Sequence, residues 1–196
     1  MVRTATVKRK TKETDIVLKL TLGGKGSASV NTSIPFLDHM LSLFAFHGAM
    51  NLEIKASGDI EIDYHHLMED LGITFGEAIK KALGDKKGIR RYGSATIPMD
   101  ESLARVVIDL SGRPYLVYKV KFPKGTVRGL EYSLFEDFFR ALTNHCMMNL
   151  HIVVEYGKDL HHIFEAIFKA FGRALSEAVS PDPRMKGLPT TKGLMS

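Results

Sequence analysis

Cysteine occurs once, at Cys146, so the chain can build no internal disulfide framework and offers no thiolate metal site. No apolar run approaches the ~18 residues that a membrane-spanning helix requires. The opening stretch, MVRTATVKRKTKETD, lacks the apolar core of a secretory signal. Its charges could resemble an organellar address, but Glu13 and Asp15 and the alternating pattern that follows read as mature protein. These absences lead to the expectation of a cytoplasmic protein with no membrane partner. Also missing is the aromatic interleaving of a base-stacking surface: the basic residues, Lys8 to Lys12, Lys80 and Lys81, and Lys86 to Arg91, are scattered. The net charge of +5 fits an anionic partner, nucleic acid or phosphorylated metabolite, and does not by itself choose between them.

What is present is a soluble-protein balance, 44% apolar and 25% charged over 196 residues, enough for one ordinary domain or two small ones. It also repeats itself. DYHHLMED at 63–70 returns 96 positions later as DLHHIFEA at 159–166. Upstream, FLDHMLSLFAFHGAMNLEI (36–54) aligns with LFEDFFRALTNHCMMNLHI (134–152), which sets His39 against Asp137 and His47 against His145. The stretch between the aligned blocks is two residues longer in the first copy. The pattern predicts a tandem duplication: a first repeat over 1–94, a second over 95–180 and an irregular Pro- and Gly-rich tail over 181–196.

Alternation in TDIVLKLTLGG and KGSASVNTSI predicts an opening hairpin, and NLEIKASGDIEID a second one turning at Ser57-Gly58-Asp59. Helical spacing runs through HMLSLFAFHGA, and a long amphipathic helix is predicted over His65 to Leu83, with Asp63 as N-cap and Gly84 at its C-terminus. The second half predicts strands over SATIPMDESLARVVIDLSGRPYLVYKVKF, a helix over Tyr132 to Cys146, a strand over Leu150 to Tyr156 and a helix over Leu160 to Val179. Strands grouped ahead of helices imply α+β, a duplicated two-layer unit in which each half is a small, mostly antiparallel sheet covered by helices.

The repeated His-His pair carries the chemistry. Near a helix start, Glu69 lies three or four residues from His66 and His65, within side-chain reach of both. Adjacent helical histidines diverge by about 100°, so they suit two ions on either side of the helix end better than one closed site. His161, His162 and Glu165 repeat this arrangement. Imidazole and carboxylate without sulfur favour Mn, Fe, Co, Ni or Zn. Helix-start histidines also serve as caps or packing residues, but two copies in matching contexts, together with His39 and His47, weigh against that reading.

These residues resemble the imidazoleglycerol-phosphate dehydratase family. The resemblance covers nearly the whole chain: TKET (11–14), IPFLDHML (34–41), DYHHLMEDLGI, GIRRYG (88–93), PMDESLARVVIDLSGRPYL (98–116), HHIFEAIFKAFGRAL and PTTKG (189–193). It implies a fold like the second domain of ribosomal protein S5, duplicated, and assembly through trimers into a 24-subunit homo-oligomer with interfacial active sites. It implies two Mn²⁺ ions per site, held by His39, His65, His66, Glu69, His161, His162 and Glu165, with Asp137 as an eighth position where many members carry histidine. The implied reaction removes water from imidazole-glycerol phosphate to give imidazole-acetol phosphate in histidine biosynthesis, through a metal-bound imidazolate and a diazafulvene-like intermediate. Glu13 matches the family's substrate-contacting glutamate and is the expected proton carrier; His47, Glu69 and Glu165 complete the catalytic set. The same resemblance assigns substrate binding to Glu13, His39, His47, His65, Glu69, Arg91, Arg113, His161, Lys169, Thr190, Thr191 and Lys192. Arginine forks and a lysine point charge suit the phosphate.

Two other classes fit parts of the pattern. A dinuclear metal phosphoesterase would use the same ligands, but it ordinarily needs an Asp-rich bridging set that this chain lacks. A basic nucleic-acid-binding module with structural metals would leave the twin HHxxE sets without a role.

Overall fold

The computed structural model describes residues 3–121, 125–127 and 129–192; Gly193 of the PTTKG segment lies outside them. The first half runs β1 (Arg3–Lys10), β2 (Thr14–Leu22), β3 (Ala28–Asn31), α1 (Pro35–His47), β4 (Asn51–Gly58) and α2 (His65–Leu83). The second half repeats this as β5 (Tyr92–Met99), β6 (Ser102–Asp109), β7 (Tyr115–Lys119), α3 (Leu134–Cys146), β10 (Asn149–Tyr156) and α4 (Leu160–Val179). Among the described residues it adds the short pair β8 (Thr126–Val127) and β9 (Leu130–Glu131), inserted before α3.

The sheets have the same topology, β1-β2-β4-β3 and β5-β6-β10-β7. In each, two antiparallel pairings are followed by one parallel edge strand, β3 on β4 and β7 on β10. A parallel pair requires a crossover between its strands, and α1 and α3 supply it. Even the register repeats: Leu52 stands between Leu20 and Ala28 as Leu150 stands between Ile108 and Leu116. The second sheet begins at Tyr92.

The α+β class and the duplication hold, but two strand expectations need correction. The opening hairpin is β1–β2, turning at residues 11–13, and β3 pairs with β4 rather than with β2. The second hairpin does not form: β4 stays a single strand to Gly58, and residues 59–64 lead directly into α2. Alternation reports that a strand has one buried face; it does not report the neighbour. Helix bounds fare better. Both α2 and α4 span the predicted residues, and α3 starts at Leu134 rather than Tyr132 because residues 130–131 belong to β9.

Each sheet buries one face, as in the BeBeBeBiB pattern of β2, and the helices cover it. α2 packs on β1 and β2, and α4 on β5 and β6, while α2 meets α3 and α1 meets α4 across the middle. The halves therefore exchange helix partners. Two glycines make that approach possible. A Cβ at Gly76 would stand 2.4 Å from the Leu142 carbonyl oxygen, and one at Gly172 would stand 2.5 Å from that of Phe44. These are repeat-equivalent contacts. Around them Phe44, Phe75, Phe135, Phe164 and Phe171 are fully buried, each worth about 1.5–3 kcal/mol of apolar transfer. The exchange carries His39 of α1 to the start of α4, and Asp137 of α3 to the start of α2.

Candidate metal centre and substrate site

At the start of α4, Asp159 accepts hydrogen bonds from the His161 and His162 backbone amides and holds both histidines on the first turn. Asp63 does part of this for α2: its Oδ1 accepts from the His65 amide at 2.7 Å, although the cap position itself falls on Tyr64. The paired rings diverge, standing 75° apart at His65 and His66 and 88° apart at His161 and His162.

Among the described residues, one group of three side chains is close enough to share an ion: His39, His161 and Glu165. His39 Nε2 lies 2.9 Å and His161 Nε2 3.1 Å from Glu165 Oε1. Ligand atoms about 2.1 Å from a six-coordinate ion sit about 3 Å apart, so two imidazoles and one carboxylate oxygen stand at ligand spacing and fit a divalent ion of borderline hardness. The other oxygen, Glu165 Oε2, accepts from Lys169 Nζ at 2.5 Å. Burial works to raise the Glu165 carboxyl, but the bonds from Lys169, His39 and His161 outweigh it and hold the pKa down to about 2. The carboxylate is thus charged at any working pH.

The corresponding set on α2 is looser. His65 Nε2 lies 3.8 Å from Glu69, and the opposite ring nitrogen, Nδ1, lies 3.8 Å from Asp137. His66 turns away from both. Its Nδ1 donates to Asp59 Oδ2 at 3.0 Å, with Glu13 at 3.9 Å; Asp59 first, then the Glu13 charge, raises the His66 pKa. His162 turns away from its own set in the same sense. Its Nδ1 donates to Glu101 Oε2 at 2.7 Å, which raises its pKa. The Glu101 carboxyl in turn is held well below the carboxylate range, first by the Asp159 amide and then by His162. Sequence reasoning passed over Asp59 and Glu101, although extending the repeat alignment upstream sets Glu101 opposite Glu13.

Glu13 is exposed in the β1–β2 turn, beside a cleft of about 340 Å³ lined also by Thr11, Lys12, Asp59 and Glu61. His47 ends α1 half-buried; burial, then Lys169 and Arg173, lower its pKa against the opposing charge of Glu165. Cys146 is buried with its thiol pushed up to about 12, which leaves it chemically inert.

The remaining expected substrate residues lie elsewhere. Arg91 donates to Asp109 at 2.7 and 3.1 Å and to the Pro189 carbonyl at 2.8 Å, so its fork anchors the tail. Thr190, Thr191 and Lys192 follow directly, with the Lys192 amide bonded to Thr190 Oγ1. The Arg91 amide donates to Ala178 at the far end of α4, about 20 Å along the helix from Glu165 at 1.5 Å per residue. Arg113 is exposed in the β6–β7 connection, its carbonyl accepting from Asn149. A single chain therefore brings His39, His161, Glu165 and Lys169 together, but not Arg91, Arg113 or the tail.

Known proteins resemble this chain along its length. A family model described as imidazoleglycerol-phosphate dehydratase matches residues 32–175. Among curated relatives, imidazoleglycerol-phosphate dehydratases from Thermodesulfovibrio yellowstonii (57% identical, covering 98% of this chain and 100% of that protein) and Pelobacter propionicus (54% identical, 100% of both) align along their whole length. Crystal structures of the Staphylococcus aureus and Pyrococcus furiosus dehydratases superpose with a TM-score of 0.82 each, at 40% and 37% identity. They cover 91% and 96% of this chain, and 99% of theirs is matched. With the family model matching residues 32–175 and relatives more than half identical along the whole chain, the chain belongs to the imidazoleglycerol-phosphate dehydratase family.

Proposed function

We propose that this protein is a hydro-lyase that dehydrates imidazole-glycerol phosphate to imidazole-acetol phosphate in histidine biosynthesis, with divalent metal, Mn²⁺ in the first instance, at its centre. The observation that carries the reading is the convergence of His39, His161 and Glu165 from two halves of the chain onto one point. His65, Glu69 and Asp137 would form the second set, while His66 and His162 face outward toward further ions. A bound ion would supply Lewis-acid polarisation of the substrate's imidazole ring.

The chain's own groups do the rest. Glu165 and Glu69 are ligands and are not free to move protons. Glu13, exposed and outside the ligand sets, takes the proton from the carbon that loses it and returns one to the departing hydroxyl, so that water leaves and an enol remains. Lys169, four residues beyond Glu165 on the same helix face, fixes charge near the phosphate. Arg91, Arg113, Thr190, Thr191 and Lys192 lie too far from Glu165 within one chain to complete that pocket. This separation supports homo-oligomeric assembly with sites shared between subunits, in the 24-subunit form built from trimers. Among the described residues no helix is long and apolar enough to cross a membrane, which is compatible with a cytoplasmic setting.

Mn²⁺-loaded protein incubated with imidazole-glycerol phosphate should yield the enol or its ketone and no free phosphate. Phosphate release would replace this reading with a phosphoesterase, and no turnover with Mn²⁺ present would end it.

A further inference from the structure

The two β-turns that precede the histidine pairs are repeat equivalents. Lys10 pairs with Asp15 as Pro98 pairs with Leu103, a constant separation of 88 positions, so Glu13 in the first turn corresponds to Glu101 in the second. Their surroundings have diverged. Both carboxylate oxygens of Glu101 are in use: Oε2 takes His162 Nδ1 at 2.7 Å, and Oε1 takes the Asp159 amide at 2.8 Å, the Lys158 amide at 3.2 Å and the Ser102 hydroxyl at 2.9 Å. Among the described residues no hydrogen bond holds the Glu13 carboxylate, and His66 Nδ1 is 3.9 Å away. That nitrogen belongs to Asp59, at 3.0 Å. Asp59 lies in the β4–α2 connection, the stretch that is two residues longer in the first half.

The backbone of Glu13 is nevertheless well fixed. Thr11 Oγ1 accepts from the amides of Glu13 and Thr14 at 3.0 Å each, and the Asp59 amide donates to the Glu13 carbonyl at 3.1 Å. Next to it, Thr14 Oγ1 donates to the buried Asp70 at 2.6 Å. The first-half turn is thus rigid in its main chain and free in its glutamate side chain. In the second half the glutamate itself is the tie.

We infer that the duplicated turn glutamate has split into two roles. Glu101 is a positioning residue that fixes the His162 ring with Nε2 outward. Asp59 has taken over that task for His66, which releases Glu13 for proton transfer. A carboxylate that accepts from Nδ1–H sets the tautomer and ring plane and leaves the Nε2 lone pair to the ion. The inference deepens the proposed function and rests on its metal site.

The test uses the full chain and Mn²⁺ alone, with binding followed by calorimetry and by the Mn²⁺ paramagnetic resonance signal. E101Q and D59N should each weaken Mn²⁺ binding by about 10–100-fold, the effect of removing a partner of a ligating histidine. E13Q should leave Mn²⁺ affinity within about twofold and lower kcat by about 10²–10⁴. Because Glu101 acts through His162, E101Q should add almost nothing in an H162A background and act in full in an H66A background. Should E101Q fail to fold, the D59N arm with H66A carries the same test. Unchanged Mn²⁺ affinity in E101Q and D59N, full additivity with H162A, or an E13Q loss of affinity equal to that of E101Q overturns this inference alone. Wild-type protein that takes up no divalent ion overturns the metal reading as well.

Discussion

The candidate ligand set at the start of α4 and its counterpart at the start of α2 are built on the same backbone and differ in chemistry. On α4, two imidazoles meet one carboxylate oxygen at 2.9 and 3.1 Å, the Glu165 side chain is only 10% exposed, and Lys169 pins its second oxygen. On α2 the distances stretch to 3.8 Å, His65 uses both ring nitrogens, and the Glu69 side chain is 52% exposed. Two replacements account for much of this. Asp137 stands where the other set has His39, and Ile73 where it has Lys169. Duplication has thus copied the scaffold to the level of strand register, while a few side chains decide how tightly each set is organised.

The comparison breaks most sharply at its carboxylates. Glu165→Gln removes the negative charge on which His39 and His161 converge, and divalent-ion affinity should fall by more than about 100-fold, beyond what loss of a supporting partner causes. Glu69→Gln, on the exposed and more open set, should cost about tenfold by the same scale. Calorimetric titration with Mn²⁺ separates the two. Equal losses would mean that the closer geometry on α4 brings no advantage.

Asp137→His would instead sharpen the likeness, giving the α2 set the same two imidazoles and one carboxylate as its partner, with Ile73 still opposite Lys169. Imidazole favours Zn²⁺ and carboxylate favours Mn²⁺, so the variant should shift the Zn²⁺ over Mn²⁺ preference by about tenfold at one set only. Competitive metal titration reads this directly, and a shift at both sets or at neither would count against the assignment of Asp137.

Where the scaffold is copied, the halves should respond alike. Gly76→Ala and Gly172→Ala each push a methyl group against a carbonyl oxygen, at 2.4 and 2.5 Å. Each should cost about 1–3 kcal/mol of overpacking, at about 2–4 °C of Tm per kcal/mol for a chain of this size. Thermal unfolding measured on both, with a difference much larger than either loss, would show that the helix exchange is not equivalent on the two sides.

The sequence made these helices legible because their apolar period is local: the stripe Leu71, Phe75, Ala78, Ile79 and Ala82 is buried throughout. Strand partners were not legible, since β3 finds β4 only after α1 has crossed between them. The candidate ligand residues could be named from the repeated HHxxE, but their grouping could not. His39 reaches Glu165 across 126 positions because Gly172 lets α1 lie against α4, and no spacing within either repeat encodes that contact. Asp59 escaped notice for another reason. It was read as a hairpin turn residue, whereas its carboxylate bonds the His66 ring. Its position in the longer first-half connection was the available signal.

The smallest contrast concerns the C-terminal tail. Arg91 and Arg3 are repeat equivalents, as the pairings Tyr92–Asp109 and Thr4–Thr21 show, and both reach the chain beyond the middle of α4. Arg3 Nη2 donates one bond to the Val179 carbonyl. Arg91 grips Pro189 with one arm and Asp109 with the rest of its fork, where the first half offers only Thr21. With the Arg91 and Asp109 side chains 14% and 20% exposed, Asp109→Asn should cost about 1–2 kcal/mol as a lost charge-assisted bond and loosen the segment that Pro189 anchors. Arg3→Gln, losing a single neutral acceptor, should cost less than about 1 kcal/mol. Limited trypsin digestion checks this, since cleavage after Lys186 should accelerate in Asp109→Asn and stay near the unmodified rate in Arg3→Gln. If both variants release the tail equally, the two arginines are equivalent clasps, and the acidic partner at 109 adds nothing to the one that holds the tail.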